Sequence, residues 1–125
     1  MKNTTDIYSF DNKFWTAIDC LIDSHKIIID RPKGTVHPKF NDFIYNVDYG
    51  YLENTKSMDN NGIDIFVGSK KDKYADCIIC TIDLLKNDCE IKLLLSFTDE
   101  EKQIIYQALN NNPYMKGIMI KRDIH

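Results

Sequence analysis

The hydrophobic pattern of the chain changes period twice. Near the amino end Phe14, Trp15, Ile18, Leu21 and Ile22 recur at three- and four-residue spacing, which predicts an amphipathic helix capped by Asp11 and ending near Ser24. Near the carboxyl end Thr98 and Glu101 form a capping-box signature, followed by Ile104, Ile105, Ala108 and Leu109 at helical spacing. Asn110, Asn111, Asn112 and Pro113 end that second helix. Between the helices the period is two. Residues 26–30 and 43–47 read as short strands, and 75–84 is a long β-branched run. In 62–68, Ile63, Ile65 and Val67 share one face and leave Asp64 and Phe66 on the other. In 88–96, Ile91, Leu93 and Leu95 face away from Asp88, Glu90 and Lys92, and a last strand at 116–122 places Ile118 and Ile120 together. Five or six short strands with one helix near each end predict a mainly β (α+β) fold, a small antiparallel sheet or barrel.

A length of 125 residues predicts one domain, 1–125, with a core of its own. Apolar runs such as Ile27-Ile28-Ile29 are too short to span a bilayer, and the first ten residues lack a signal-peptide core, so a cytoplasmic protein with no membrane partner is expected. The net charge of −3 and the absence of a basic run argue against duplex nucleic acid as a partner. Asp outnumbers Glu by 15 to 4, which fits either a compositional bias or the short carboxylates that hard cations prefer. Cys77 and Cys80 have the spacing of half a zinc site, but no second pair completes it. An odd spacing within a strand aims the two thiols at opposite faces, so the four cysteines are expected to be buried and reduced.

Four clusters carry the candidate chemistry. Arg31, Lys33 and Lys39 lie on a loop stiffened by Pro32 and Pro38, a possible anion grip. Tyr45, Tyr49 and Tyr51 have strand spacing and would share a side if extended; the alternative is an aromatic core with wet tips. Asp59, Asn61 and Asp64 occupy a turn that feeds a strand, an arrangement that serves either a divalent cation or a plain polar turn. Asp83, Asp88, Glu90 and Lys92 are spaced so that the last three share one strand face, as a site or as a solvated set of ion pairs. Many aspartates with several lysines and tyrosines suit metal-assisted attack of water on a phosphate.

In this order the clusters resemble the soluble inorganic pyrophosphatases, a family built on an OB-type β-barrel. Its motifs I-P-K-G, Y-P-x-N-Y-G, D-G-D-P-x-D, D-x-x-x-x-D-x-K and a helical Tyr-Lys resemble Arg31-Pro-Lys-Gly34, Tyr45-Asn-Val-Asp-Tyr-Gly50, Asp59-Asn-Asn-Gly-Ile-Asp64, the segment 83–92 and Tyr106-Gln107. The resemblance implies an OB-like barrel, Mg²⁺ as cofactor and a small phosphate substrate. It implies Asp59, Asn61, Asp64 and Asp83 as catalytic residues. Metal ligation would fall to Asp59, Asp64, Asp83, and Asp88 or Glu90. Substrate contacts would fall to Arg31, Lys33, Lys39, Tyr45, Tyr49, Lys92 and Tyr106. It also implies a homo-oligomer. The segment 83–92 aligns in two ways, with either Asp88 or Glu90 in the second aspartate's place. The chain departs from the family in three respects: Asn61 replaces a proton-accepting aspartate, Gln107 replaces a lysine, and a hairpin of about twenty residues is truncated between the first two motifs. The leading expectation is therefore metal-dependent hydrolysis of diphosphate or a related phosphoanhydride. The alternative is a non-catalytic domain of the same fold that binds a phosphate ligand. A single-stranded nucleic-acid module with tyrosine platforms is a third, disfavoured by the acidic balance.

Overall fold

A computed structural model describes residues 12–38, 43–57 and 60–122. In chain order the elements are α1 (Asn12–Asp23), β1 (Ile27–Arg31), β2 (Asp48–Leu52), β3 (Ile63–Val67), β4 (Cys77–Asp83), β5 (Asp88–Leu95), α2 (Asp99–Ala108) and β6 (Met115–Lys121). The strands form one sheet in the order β1-β2-β3-β5-β4-β6. The expected mainly β fold with a helix near each end is what forms, with two differences of detail. The junction of β3 with β5 is parallel, and among the described residues β1 and β6 remain the two edges of an open sheet. The parallel junction follows from connectivity. β4 skips a position beyond β3, and the β4–β5 hairpin then turns back into the gap, so β5 runs in the direction of β3.

The strand expected at 43–47 does not form; that segment is a loop holding only the isolated bridge Val36↔Ile44. Its place in the sheet is taken by β2, whose interior Gly50 marks a close approach. A Cβ there would run into the carbonyl oxygen of Ile28 on β1, so only glycine lets the two strands pair.

Both faces of the sheet are covered. α1 lays Trp15, Ile18 and Ile22 over Leu52, Ile65, Ile78 and Leu93, the first core. Phe14, expected on that face, is 45% exposed instead, because its position lies beyond the edge of the stripe that meets the sheet. On the opposite face Ile105 of α2 and Leu109 at its C-cap join Tyr45, Phe66, Ile79, Leu94 and Phe97. The Thr98 side chain accepts from the Glu101 N–H at 3.1 Å while Glu101 accepts from the Thr98 N–H at 2.9 Å, the capping box its sequence announced. Glu101 also accepts from the Ser69 N–H, tying the segment after β3 to the start of α2. Beyond the helix, Asn110 and Asn112 act as a plug. Asn110 receives the Gly117 N–H at 3.0 Å and donates to the Gly117 carbonyl at 3.1 Å, and Asn112 receives the Met115 N–H at 2.7 Å. The start of the open edge of β6, at Met115 and Gly117, is thereby satisfied from within the chain.

Cys77 and Cys80 do point to opposite faces, each into a different core, and burial pushes both thiols up from their ordinary pKa. Cys20 and Cys89 are exposed rather than buried, which corrects the expectation for those two; all four thiols are free. No helix among the described residues is long and apolar enough to cross a membrane.

Candidate functional site

Strand parity puts the polar residues of β3 and β5 on the α2 side of the sheet. Tyr51 pairs with Asp64 and Tyr49 with Phe66 across the β2–β3 ladder, and the parallel β3–β5 register brings Lys92 beside Asp64. Lys92 Nζ lies 2.6 Å from Asp64 Oδ2 and 3.3 Å from Glu90 Oε1. Only 6% of the residue is exposed. Burial opposes the ammonium charge, yet the two carboxylates outweigh it and raise the Lys92 pKa above that of an ordinary lysine. Asp64 also accepts a hydrogen bond from the Tyr49 hydroxyl. Burial, and then the negative charge of Asp64, hold that phenol protonated and raise its pKa far above the usual value. Tyr49, Asp64, Lys92 and Glu90 thus form one continuous polar chain.

A second cation reaches the same region from the edge strand. β1 carries a bulge between Ile29 and Arg31 that leaves Asp30 without a partner and sets Arg31 opposite Tyr49. The Arg31 guanidinium lies over the rings of Tyr45 and Tyr49, 5.7 and 5.5 Å from their centroids, and donates to the Tyr45 hydroxyl at 2.6 Å. Burial alone would lower its pKa; the hydrogen bond to Tyr45 and neighbouring charges raise it. Tyr45 is held by its own backbone, whose N–H and carbonyl bond to Thr35 and Gly34. The turn at Gly34, φ +93°, is one that L side chains adopt only with strain. The rings continue as a ladder: His37 stacks on Tyr45 at 6.1 Å, Tyr45 on Tyr49 at 5.3 Å, and Tyr49 meets Phe66 at 4.8 Å.

These groups line a cavity of about 870 Å³. Of the residues singled out from the sequence, Arg31, Tyr45, Tyr49, Asn61, Asp64, Asp83 and Lys92 line it, and Glu90 reaches it through Lys92. Lys39 and Asp59 lie outside the described residues. The remaining three lie elsewhere. Lys33 is exposed on the loop, its backbone N–H donating to Asp48. Asp88 starts β5 at the far end of the hairpin, paired in register with Asp83. Tyr106 is 43% exposed on the outer side of α2. The helical period that places Ile105 in the core turns Tyr106 out of it. Lining residues outside the expected site set include Asp30, His37, Tyr51 and Lys86. Tyr51 was grouped with Tyr45 and Tyr49 by its strand spacing, but the resemblance assigned it no role. His37 and Lys86 sit in a loop and a hairpin turn, where parity says nothing.

The described carboxylates do not form a cage for Mg²⁺. Among the described residues no three His, Cys, Asp or Glu side chains stand together as a metal cage. Asp64 and Glu90 converge, but on the Lys92 ammonium, and Asp83 accepts the Leu85 and Lys86 N–H groups to close its turn. A hard dication needs several oxygen ligands at once. These carboxylates, as arranged, do not fit one.

No family model matches the chain, and no curated protein does. Solved structures do match. An inorganic pyrophosphatase from Helicobacter pylori superimposes with a TM-score of 0.53 at 12% identity, covering 76% of this chain and 81% of that one. An inorganic phosphatase from Anaplasma phagocytophilum gives 0.54 at 11% identity, covering 76% and 82%. The fold is pyrophosphatase-like. At these identities the likeness is one of architecture, and the pyrophosphatase-like sheet is what brings β2, β3 and β5 together around the cavity.

Proposed function

We propose that the cavity binds the phosphate groups of a small molecule, diphosphate or a related phosphoanhydride. The observation that carries this reading is the state of Arg31. Its guanidinium lies over the rings of Tyr45 and Tyr49 and is tied to the Tyr45 hydroxyl, among the described residues it makes no ion pair, and it opens on a cavity that Lys86 and Lys92 also line. A planar guanidinium with donors to spare suits phosphate oxygens, which it can grip through two parallel N–H bonds. Lys92, charged but tied to Asp64 and Glu90, would orient the ligand by shifting between carboxylate and phosphate. Lys33, Asp88 and Tyr106 have no part in this reading.

Hydrolysis of diphosphate with Mg²⁺ is the second reading, favoured by the pyrophosphatase-like fold and by Asn61, Asp64 and Asp83 sharing the cavity with the cations. No step of such a reaction is assigned, because the described carboxylates do not make the metal site it needs. One experiment decides between the two. The purified chain is incubated with diphosphate, with and without Mg²⁺, while released phosphate and the melting temperature are followed. A raised melting temperature with no phosphate released supports the binding site. Phosphate released only with Mg²⁺, and lost in Asp64→Asn, supports the hydrolase. No shift and no release overturns both.

A further inference from the structure

We propose that the occupant of this cavity carries a flat heteroaromatic ring beside its phosphate groups, as a nucleoside phosphate does. The inference rests on the phosphate reading above and adds the ring. Size is the first argument. A volume of about 870 Å³ equals that of roughly thirty water molecules at about 30 Å³ each. An inorganic diphosphate fills only a fraction of it.

The second argument is the chemistry of the wall. The lining rings are those of His37, Phe43, Tyr45, Tyr49, Tyr51 and Phe66. A bare anion gains nothing from ring faces, whose negative quadrupole repels it. Flat heteroaromatic groups gain from them whatever the base. Tyr45 and Tyr49 already stack on each other and carry Arg31. Tyr51 differs: it is half-buried, lies opposite Asp64 in register, and among the described residues stacks on no other ring. It offers the ligand a ring face within the same cavity as the Arg31 guanidinium. One N–H of that guanidinium goes to Tyr45, and the others remain for phosphate oxygens.

A free nucleotide fits better than a nucleic-acid strand. Asp30, Asp64 and Asp83 share the lining, and the chain as a whole carries a charge of −3, so among the described residues a track of cations for successive backbone phosphates is missing.

The test compares three probes by calorimetric titration at one salt concentration: ADP, inorganic diphosphate and a short single-stranded oligonucleotide. ADP is expected to bind about tenfold or more tightly than diphosphate, the scale of one base–aromatic stack. Tyr51→Leu should weaken ADP much more than diphosphate, and Tyr51→Phe, which keeps the ring, should preserve the difference. The comparison of probes on the unaltered chain stands even if Tyr51→Leu fails to fold. Diphosphate bound as tightly as ADP would overturn the ring and leave the phosphate reading intact. An oligonucleotide bound more tightly than ADP would overturn the free nucleotide in favour of a strand. Binding of none of the three would overturn both readings.

Discussion

Two lysines each sit between two carboxylates, and one of them, Lys92, lines the cavity described above. Lys92 lies 2.6 Å from Asp64 and 3.3 Å from Glu90; Lys102 lies 2.7 Å from Asp76 and 3.5 Å from Asp99. In both, burial opposes the charge and the carboxylates prevail, so both pKa values are raised. Their surroundings differ. Asp99 has a side chain 98% exposed, so one half of the Lys102 clamp is in water; what remains ties α2 to the segment leading into β4. All three members of the Lys92 clamp are mostly buried, and the clamp lines a cavity walled by rings with a second cation. An amine between carboxylates is therefore not by itself a site. Space for a ligand, and a further cation not matched by a carboxylate, make the difference.

The largest test of this contrast is Lys92→Met. It strands Asp64 and Glu90 without their cation, and breaking a buried pair in this way should cost about 3 kcal/mol or more in the urea midpoint, with diphosphate binding lost. Lys102→Met should cost only about 1 kcal/mol, because its cluster is partly solvated, and should leave diphosphate affinity as it was. Equal losses of stability from the two substitutions would break the distinction. Thr98→Ala acts on the same helix as Lys102 and should lower stability by about 1 kcal/mol through the lost cap, again without touching affinity.

The smallest effect is one of pH. Lys92, Lys102 and Tyr49 all have raised pKa values in the folded chain, so above the ordinary values the folded state holds more protons than the unfolded one. Their contribution is whole below about pH 10 and is lost as pH rises through the folded values. Urea midpoints measured at pH 8 and pH 11 should show that fall. The ultraviolet titration of the tyrosines should show one phenol that ionises only as the chain unfolds, and Tyr49→Phe should remove it.

Much of the fold was legible because its signals are local. The capping box of Thr98 and Glu101 needs four residues of sequence and formed as expected. The parity of β5, with Glu90 and Lys92 opposite Leu93 and Leu95, was equally plain, and so was the facing of Asp64 with Phe66. β2 was foreseen only as the strand spacing of Tyr49 and Tyr51, and nothing local accounts for Gly50 between them. Its reason for being glycine is the carbonyl of Ile28, more than twenty residues away in sequence. The same limit applies to the site. The order of acidic and basic motifs named residues of β1, β2, β3 and β5 that line one cavity. That Asp64 and Glu90 would close on Lys92 depends on a parallel junction made by a skipped strand position, which no local pattern encodes. Tyr106, named by the resemblance, is turned outward by the helical period that buries Ile105.

The account stands or falls on Arg31 as the grip for phosphate. Diphosphate titrated calorimetrically into the unaltered chain and into Arg31→Met, at the same salt concentration, tests it most directly. Saturable binding by the former, weakened about tenfold or more in the latter with little change in melting temperature, is the predicted result. Identical affinities in the two proteins, or no binding by either, would contradict it.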